Sequence, residues 1–198
     1  SVLFHPEKKR FWISTGPAPS NLSDYLELPW EGDQWDVIHA EKTLPPNPFS
    51  KTVQCEGMRE YTKAYHHFYN TKDFLTAEAH LKKALQYDSE EFSYYLALGF
   101  TQIKLRNFRS ASETFERGEK LAHLSHYEQA LFSLFHGRAY DLLGNRNKAR
   151  KLYEPYLSDS RIDSKLRRAF LKSFRSAYRE KDIEKTIFQF IISDFLVY

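Results

Sequence analysis

The sequence predicts an all-α protein built from stacked helical hairpins, with an irregular aromatic arm at its N-terminus. Three observations lead to this fold class. Apolar residues recur at helical spacing from Met58 onward. Short polar turns separate the apolar blocks. A pattern of small and large residues returns after 34 residues, which is typical of a repeat protein.

The first element is the arm, residues 1–57. It holds most of the eight prolines and all three tryptophans, and it shows no sustained helical periodicity. Its aromatic content is too high for a solvated linker, so we expect the arm to pack on the helices.

The helical region then divides into four segments, at about 58–91, 92–129, 130–166 and 167–198. Equivalent positions in the first two segments hold Ala77, Leu81 and Ala84, and then Ala111, Phe115 and Gly118. The third segment repeats the pattern with Ala149 and Tyr153, while the fourth is degenerate. Small residues at these points allow two helix backbones to approach closely. Pro155 predicts a local distortion in the third segment.

Helix pairs of this length, with small residues at fixed points, resemble the tetratricopeptide repeat (TPR) family over roughly residues 58–193. The second segment matches the family best, at Tyr95, Leu98, Gly99, Ala111, Phe115 and Gly118. The resemblance implies a TPR-like solenoid of three clear repeats plus one degenerate repeat. It also implies a non-enzymatic scaffold for protein–protein interaction.

In that family the first helix of each pair lines a concave groove that binds a peptide or a helical segment. The resemblance therefore implies a largely apolar groove with a cationic edge. Its residues, called the groove below, are His66, Tyr69, Leu96, Phe100, Ile103, Lys104, Leu131, Leu134 and Arg138. Alternatively, these residues belong to a core that the protein's own arm covers.

Some members of the family grip the C-terminal carboxylate of heat-shock chaperones with lysine, arginine and asparagine. The corresponding positions here are Thr62, His66, Ala97, Leu131 and Phe135. Without cations and amides there are no charge-assisted donors for a carboxylate, so this role is disfavoured.

The last element is an apolar segment, residues 183–198, which we expect to form a helix. Its apolar residues would cover most of the helix circumference, so the arm, a second copy, a partner or further chain must shield them. The predicted oligomer or partner contacts are Phe188, Ile192, Phe195 and Leu196. If a second copy shields this helix, the protein is a homodimer. Permanent packing of this kind gives the alternative function, a structural subunit of a homo- or hetero-oligomeric assembly.

Composition and motifs exclude several kinds of chemistry. The single cysteine, Cys55, forms no intrachain disulfide and has no catalytic context. His123 and His126, like the cluster around His66, lack a third ligand of the kind that catalytic zinc requires. We therefore expect no enzyme, cofactor or metal site.

Charge and hydropathy bear on partners and location. The net charge is +3, and the basic excess lies beyond residue 144. No nucleic-acid-binding motif accompanies this excess, so we do not expect a nucleic-acid partner. No stretch reaches 18 consecutive apolar residues, so we expect a soluble protein without a membrane span.

Overall fold

Helices account for most of the structure, a computed structural model that describes residues 2–5, 7, 10–14, 25–29, 43–44 and 52–191. The predicted helical character is confirmed. The helices are α1 (Val53–His66), α2 (Phe74–Tyr87), α3 (Phe92–Lys104), α4 (Phe108–Glu119), α5 (His126–Leu142), α6 (Arg146–Tyr153), α7 (Ser164–Arg175) and α8 (Glu180–Ile183).

Side-chain caps explain where several helices begin. The Thr52 hydroxyl accepts a hydrogen bond from the Cys55 amide, so α1 starts at Val53, earlier than the sequence predicts. Asp73 caps α2, and Ser125 with Glu128 forms a capping box at α5. Helix α5 begins at His126 and has 17 residues.

The turn inside each hairpin repeats with the same period as the helices. Lys72, Arg106 and Gly144 all adopt left-handed backbone conformations, with φ of 58°, 63° and 76°. Each follows the first helix of a pair, where a left-handed residue ends the helix and reverses the chain. The repeat is therefore present in the backbone as well as in the side-chain pattern.

Each helix from α1 to α6 packs against the helix that follows it in the chain. Two equivalent glycines show how closely these helices approach. A Cβ atom on Gly99 would overlap the ring of Phe115, and one on Gly137 would overlap the ring of Tyr153. The small residues thus have the packing role that the sequence predicts, because a ring from the next helix occupies the space beside them.

Two irregular turns interrupt the helical regularity. A π-helical turn, His67–Thr71, follows α1 directly. After α6, Glu154–Tyr156 forms a 3-10 turn that contains Pro155. The distortion predicted at Pro155 is therefore confirmed.

The arm differs from its prediction. Four strands, β1 (Val2–His5), β2 (Arg10–Ser14), β3 (Tyr25–Pro29) and β4 (Thr43–Leu44), pair in that order as an antiparallel sheet. Val2 lies opposite Ile13, and Tyr25 opposite both Ser14 and Leu44. The expectation of an irregular arm is wrong for these residues. The aromatic and β-branched residues of these segments favour strands. A search for helical periodicity does not detect a strand pattern. Packing of the arm on the helices stays a prediction.

The end of the chain also differs from its prediction. Helix α8 ends at Ile183, and residues 184–191, called the tail below, form a turn followed by non-helical chain. Burial alternates along the tail, because Phe188 and Phe190 are buried while Ile187 and Gln189 are exposed. This alternation is typical of extended chain, so a terminal helix is wrong through Ile191. The predicted contacts Ile192, Phe195 and Leu196 lie outside the described residues.

In the described part of the chain, no helix has both the length and the hydropathy needed to cross a membrane.

Candidate functional site

The tail lies against the first helices of three successive pairs. The Phe188 side chain is 3% exposed, and its ring centroid lies 5.1 Å from that of Phe100 on α3 and 6.0 Å from that of Phe135 on α5. The ammonium of Lys104, also on α3, lies 5.6 Å from the centre of the Phe188 ring. Phe188 therefore occupies an aromatic pocket with a cation at its edge.

A second pocket, formed by α1 and the π-helical turn, holds Phe190. This side chain is 4% exposed. Its ring centroid lies 4.8 Å from that of Phe68 and 5.4 Å from those of Tyr61 and Tyr69. Tyr65 completes the pocket with an edge-on contact at 6.1 Å. The two pockets together form the tail site, whose residues are Tyr61, Tyr65, Phe68, Tyr69, Phe100, Lys104 and Phe135.

Two tyrosine hydroxyls bind the main chain of the tail. The Tyr69 hydroxyl donates to the Phe188 carbonyl at 2.5 Å and accepts from the Phe190 amide at 2.9 Å. The Tyr61 hydroxyl donates to the Ile191 carbonyl at 2.8 Å. Burial raises the pKa of both phenols, so they stay protonated donors at neutral pH. These contacts recognise backbone, and they do not depend on the side chains of the tail.

Ion pairs hold the other end of the tail. The Glu184 carboxylate lies 3.1 Å from the ammonium of Lys104 and 3.4 Å from the guanidinium of Arg106. The Glu184 side chain is 68% exposed, so water competes for these contacts.

The tail does not fill the space between itself and the helices. A cavity of about 450 Å³ remains between the tail and residues of the π-helical turn, α2 and α3. Phe68 and Phe74 contribute its aromatic lining, while Lys72 and Lys104 contribute cations. The tail residue Ile187 borders this cavity but is 87% exposed.

A smaller cavity of about 120 Å³ lies where α5 meets the chain after α7. Its Arg138 guanidinium lies 5.0 Å from the ring centres of both Phe135 and Tyr178. Burial lowers the pKa of Arg138. The Tyr178 hydroxyl is 2.7 Å from that of Thr186, so this region supports the start of the tail.

The structure separates the predicted groove residues into three groups. Tyr69, Phe100 and Lys104 contact the tail directly. Leu96, Ile103 and Leu134 are buried core residues, and Leu131 is partly buried against the same core. His66 is exposed and pairs with Asn70, while Arg138 lies in the smaller cavity.

The tail covers the predicted groove residues Tyr69, Phe100 and Lys104. Phe188, predicted as an oligomer or partner contact, is buried inside its own molecule. Extended chain, unlike the assumed terminal helix, turns Phe188 and Phe190 to one side. A contact of Phe188 with a second copy or a partner stays a prediction.

Sequence analysis missed Tyr61, Tyr65, Phe68 and Phe135 as tail-site residues. Tyr61, Tyr65 and Phe68 lie on or just after α1, and the steps from Tyr61 through these residues to Tyr69 are four, three and one residues. This spacing places their side chains on one face, and such an aromatic stripe was the available signal.

The His67 ring stacks on the His80 ring at 5.5 Å and meets the His66 ring edge-on at 5.6 Å. His80 is 2.7 Å from Glu60, and His126 is 2.6 Å from Asp159. Within the described ranges, no group of three or more His, Cys, Asp or Glu side chains is placed to hold a metal ion.

No protein-family model matches the sequence, and a search of curated proteins finds no match.

Proposed function

We propose that residues 53–183 form a TPR-like solenoid that acts as a non-enzymatic scaffold and binds an extended peptide segment of another protein at the tail site. The observation that carries this proposal is the tail itself. Side chains of α1, the π-helical turn, α3 and α5 hold a non-helical peptide segment through aromatic pockets and main-chain hydrogen bonds.

The chemistry of the tail site suits a peptide better than a small molecule. Tyr69 satisfies both a carbonyl and an amide of the bound chain, so the ligand's backbone polar groups do not remain unpaired when they are buried. The aromatic pockets then select side chains, as in other modes of extended-peptide recognition.

The alternative function, a subunit of a permanent assembly, receives less support. It was motivated by an apolar terminal surface, and the burial of Phe188 and Phe190 within one chain removes part of that surface.

The test is a peptide-display selection on the full chain, followed by affinity measurements on synthetic copies of the selected peptides. Tyr69→Phe removes only the hydroxyl that binds backbone, and we expect it to weaken binding about five- to tenfold. Tyr127→Phe is the matched control, because Tyr127 lies on α5, is 45% exposed and is not part of the tail site. It should leave affinity unchanged.

Two results would contradict the proposal. One is a selection that enriches no peptide. The other is a set of peptides whose affinity is the same for the unmodified chain and for Tyr69→Phe, because these peptides would bind elsewhere.

A further inference from the structure

We infer that the tail is a displaceable internal occupant, and that the partner segment shares its chemistry. That segment is extended, has aromatic residues at two positions separated by one residue, and has an acidic residue four positions before the first aromatic. The inference rests on the proposed function and specifies its ligand. The chain's own tail then competes with the partner for the tail site.

The aromatic spacing follows from the geometry of the two pockets. In extended chain, side chains two positions apart point to the same side, and Phe188 and Phe190 enter separate pockets in this way. The Tyr69 hydroxyl contacts the main chain at both of these residues. A ligand with a different aromatic spacing would fill one pocket and miss the other.

The acidic position follows from the charges beside the pockets. Lys104 and Arg106 both pair with Glu184, which precedes Phe188 by four residues. Lys72 adds a third cation, contacting the Tyr69 ring at 5.9 Å, and it makes no ion pair within the described part of the chain. A partner carrying a carboxylate there is attracted by the same cations.

Three observations indicate that the tail can leave. The Glu184 side chain in its ion pairs is 68% exposed, so water weakens these pairs. It leaves a cavity of about 450 Å³ unfilled and exposes Ile187. Helices α1, α3 and α5, which supply the tail site, pack against α2 and α4, so the helical stack has contacts of its own besides those with the tail.

Because the tail is covalently linked to the tail site, it competes strongly with a partner peptide. A segment joined to its site by a short connection has an effective concentration in the millimolar range. A partner peptide must overcome this concentration in the unmodified protein. Weakening the tail should therefore increase the affinity for the same peptide added in trans.

The experiment uses a fluorescently labelled peptide with the sequence of residues 184–191 and measures its binding by anisotropy. Three full-length proteins are compared: the unmodified chain, the double variant Phe188→Ala/Phe190→Ala, and the control Ile187→Ala. The double variant should bind at least tenfold more tightly than the other two. A peptide with both phenylalanines replaced by alanine should bind none of them measurably.

Equal affinity of the peptide for all three proteins would overturn the inference. Loss of cooperative unfolding in the double variant would also overturn it, because the tail would then be an integral part of the fold. If display selects peptides that depend on Tyr69 but lack the aromatic spacing, the scaffold function stands and this inference fails.

Hydrogen exchange gives a second measurement, made on the unmodified protein. If the tail opens by itself, the Phe190 amide should exchange at least a hundredfold faster than the buried amides of α3. Equal rates would show that the tail leaves only when the whole domain unfolds, and would contradict the inference.

Discussion

At the scale of single residues, Tyr69 and Phe100 have different roles although the resemblance assigns both to the groove. Tyr69 is half-buried and uses its hydroxyl to bind the backbone of the tail. Phe100 is 3% exposed and contacts Phe115 and Phe135 as well as Phe188. Helical periodicity shows that both lie on one face, but it cannot show how deeply each is buried.

Phe100→Ala should therefore mainly destabilise the fold. We expect the free energy of unfolding to fall by about 3 to 5 kcal/mol, because the truncation leaves a cavity among three rings. Ile187→Ala should change it by less than about 0.5 kcal/mol, since that side chain is 87% exposed. Urea unfolding measures both, and a Phe100→Ala protein as stable as the unmodified chain would show that Phe100 is not a core residue.

At the scale of elements, periodicity predicted the helices well and the segments at both ends poorly. The helices of the first three pairs are strongly patterned, and a turn with a left-handed residue joins the two helices of each pair. The tail is a short apolar run, for which helical and extended patterns are difficult to distinguish from sequence. The strands of the arm are also short, and prolines near them obscured their pattern.

A buried carboxylate joins the first two helices. Glu60 on α1 lies 2.7 Å from both Lys63 and His80 and 3.2 Å from Lys83. Burial by itself would raise the pKa of Glu60, but hydrogen bonds from these three partners lower it from 4.5 to about 2. A pKa that is lower in the folded state stabilises the protein above the unfolded value, and this stabilisation is lost as the pH falls through the folded value.

We therefore expect Glu60 to contribute about 1 to 2 kcal/mol to stability at neutral pH and to lose that contribution between about pH 4.5 and 2. The lower value, about 1 kcal/mol, applies because the Lys63 and Lys83 side chains are exposed and water weakens their ion pairs with Glu60. Glu60→Gln should remove this part of the acid dependence, as measured by urea unfolding across the pH range. The control Glu113→Gln changes an exposed position on α4 and should keep the acid dependence of the unmodified chain. Identical acid profiles for Glu60→Gln and the unmodified chain would contradict the assignment.

At the scale of the whole molecule, the candidate site forms because the two ends of the helical region come together. Tyr69 and Phe190 are 121 residues apart in sequence, yet they share a hydrogen bond and a ring contact. Local patterns predict which helix faces are apolar, but they do not predict which distant segment covers them. The sequence therefore identified part of the site, and only the structure identified its occupant.

The central claim is that the tail occupies the site formed by α1, α3 and α5. The most direct test is a nuclear Overhauser measurement on the unmodified protein, with labelled and unlabelled chains mixed to separate contacts within one molecule from contacts between molecules. We predict intramolecular contacts from the Phe188 ring to the Phe100 ring and from the Phe190 ring to the Tyr69 ring. Their absence, with random-coil chemical shifts for residues 186–191, would contradict the claim.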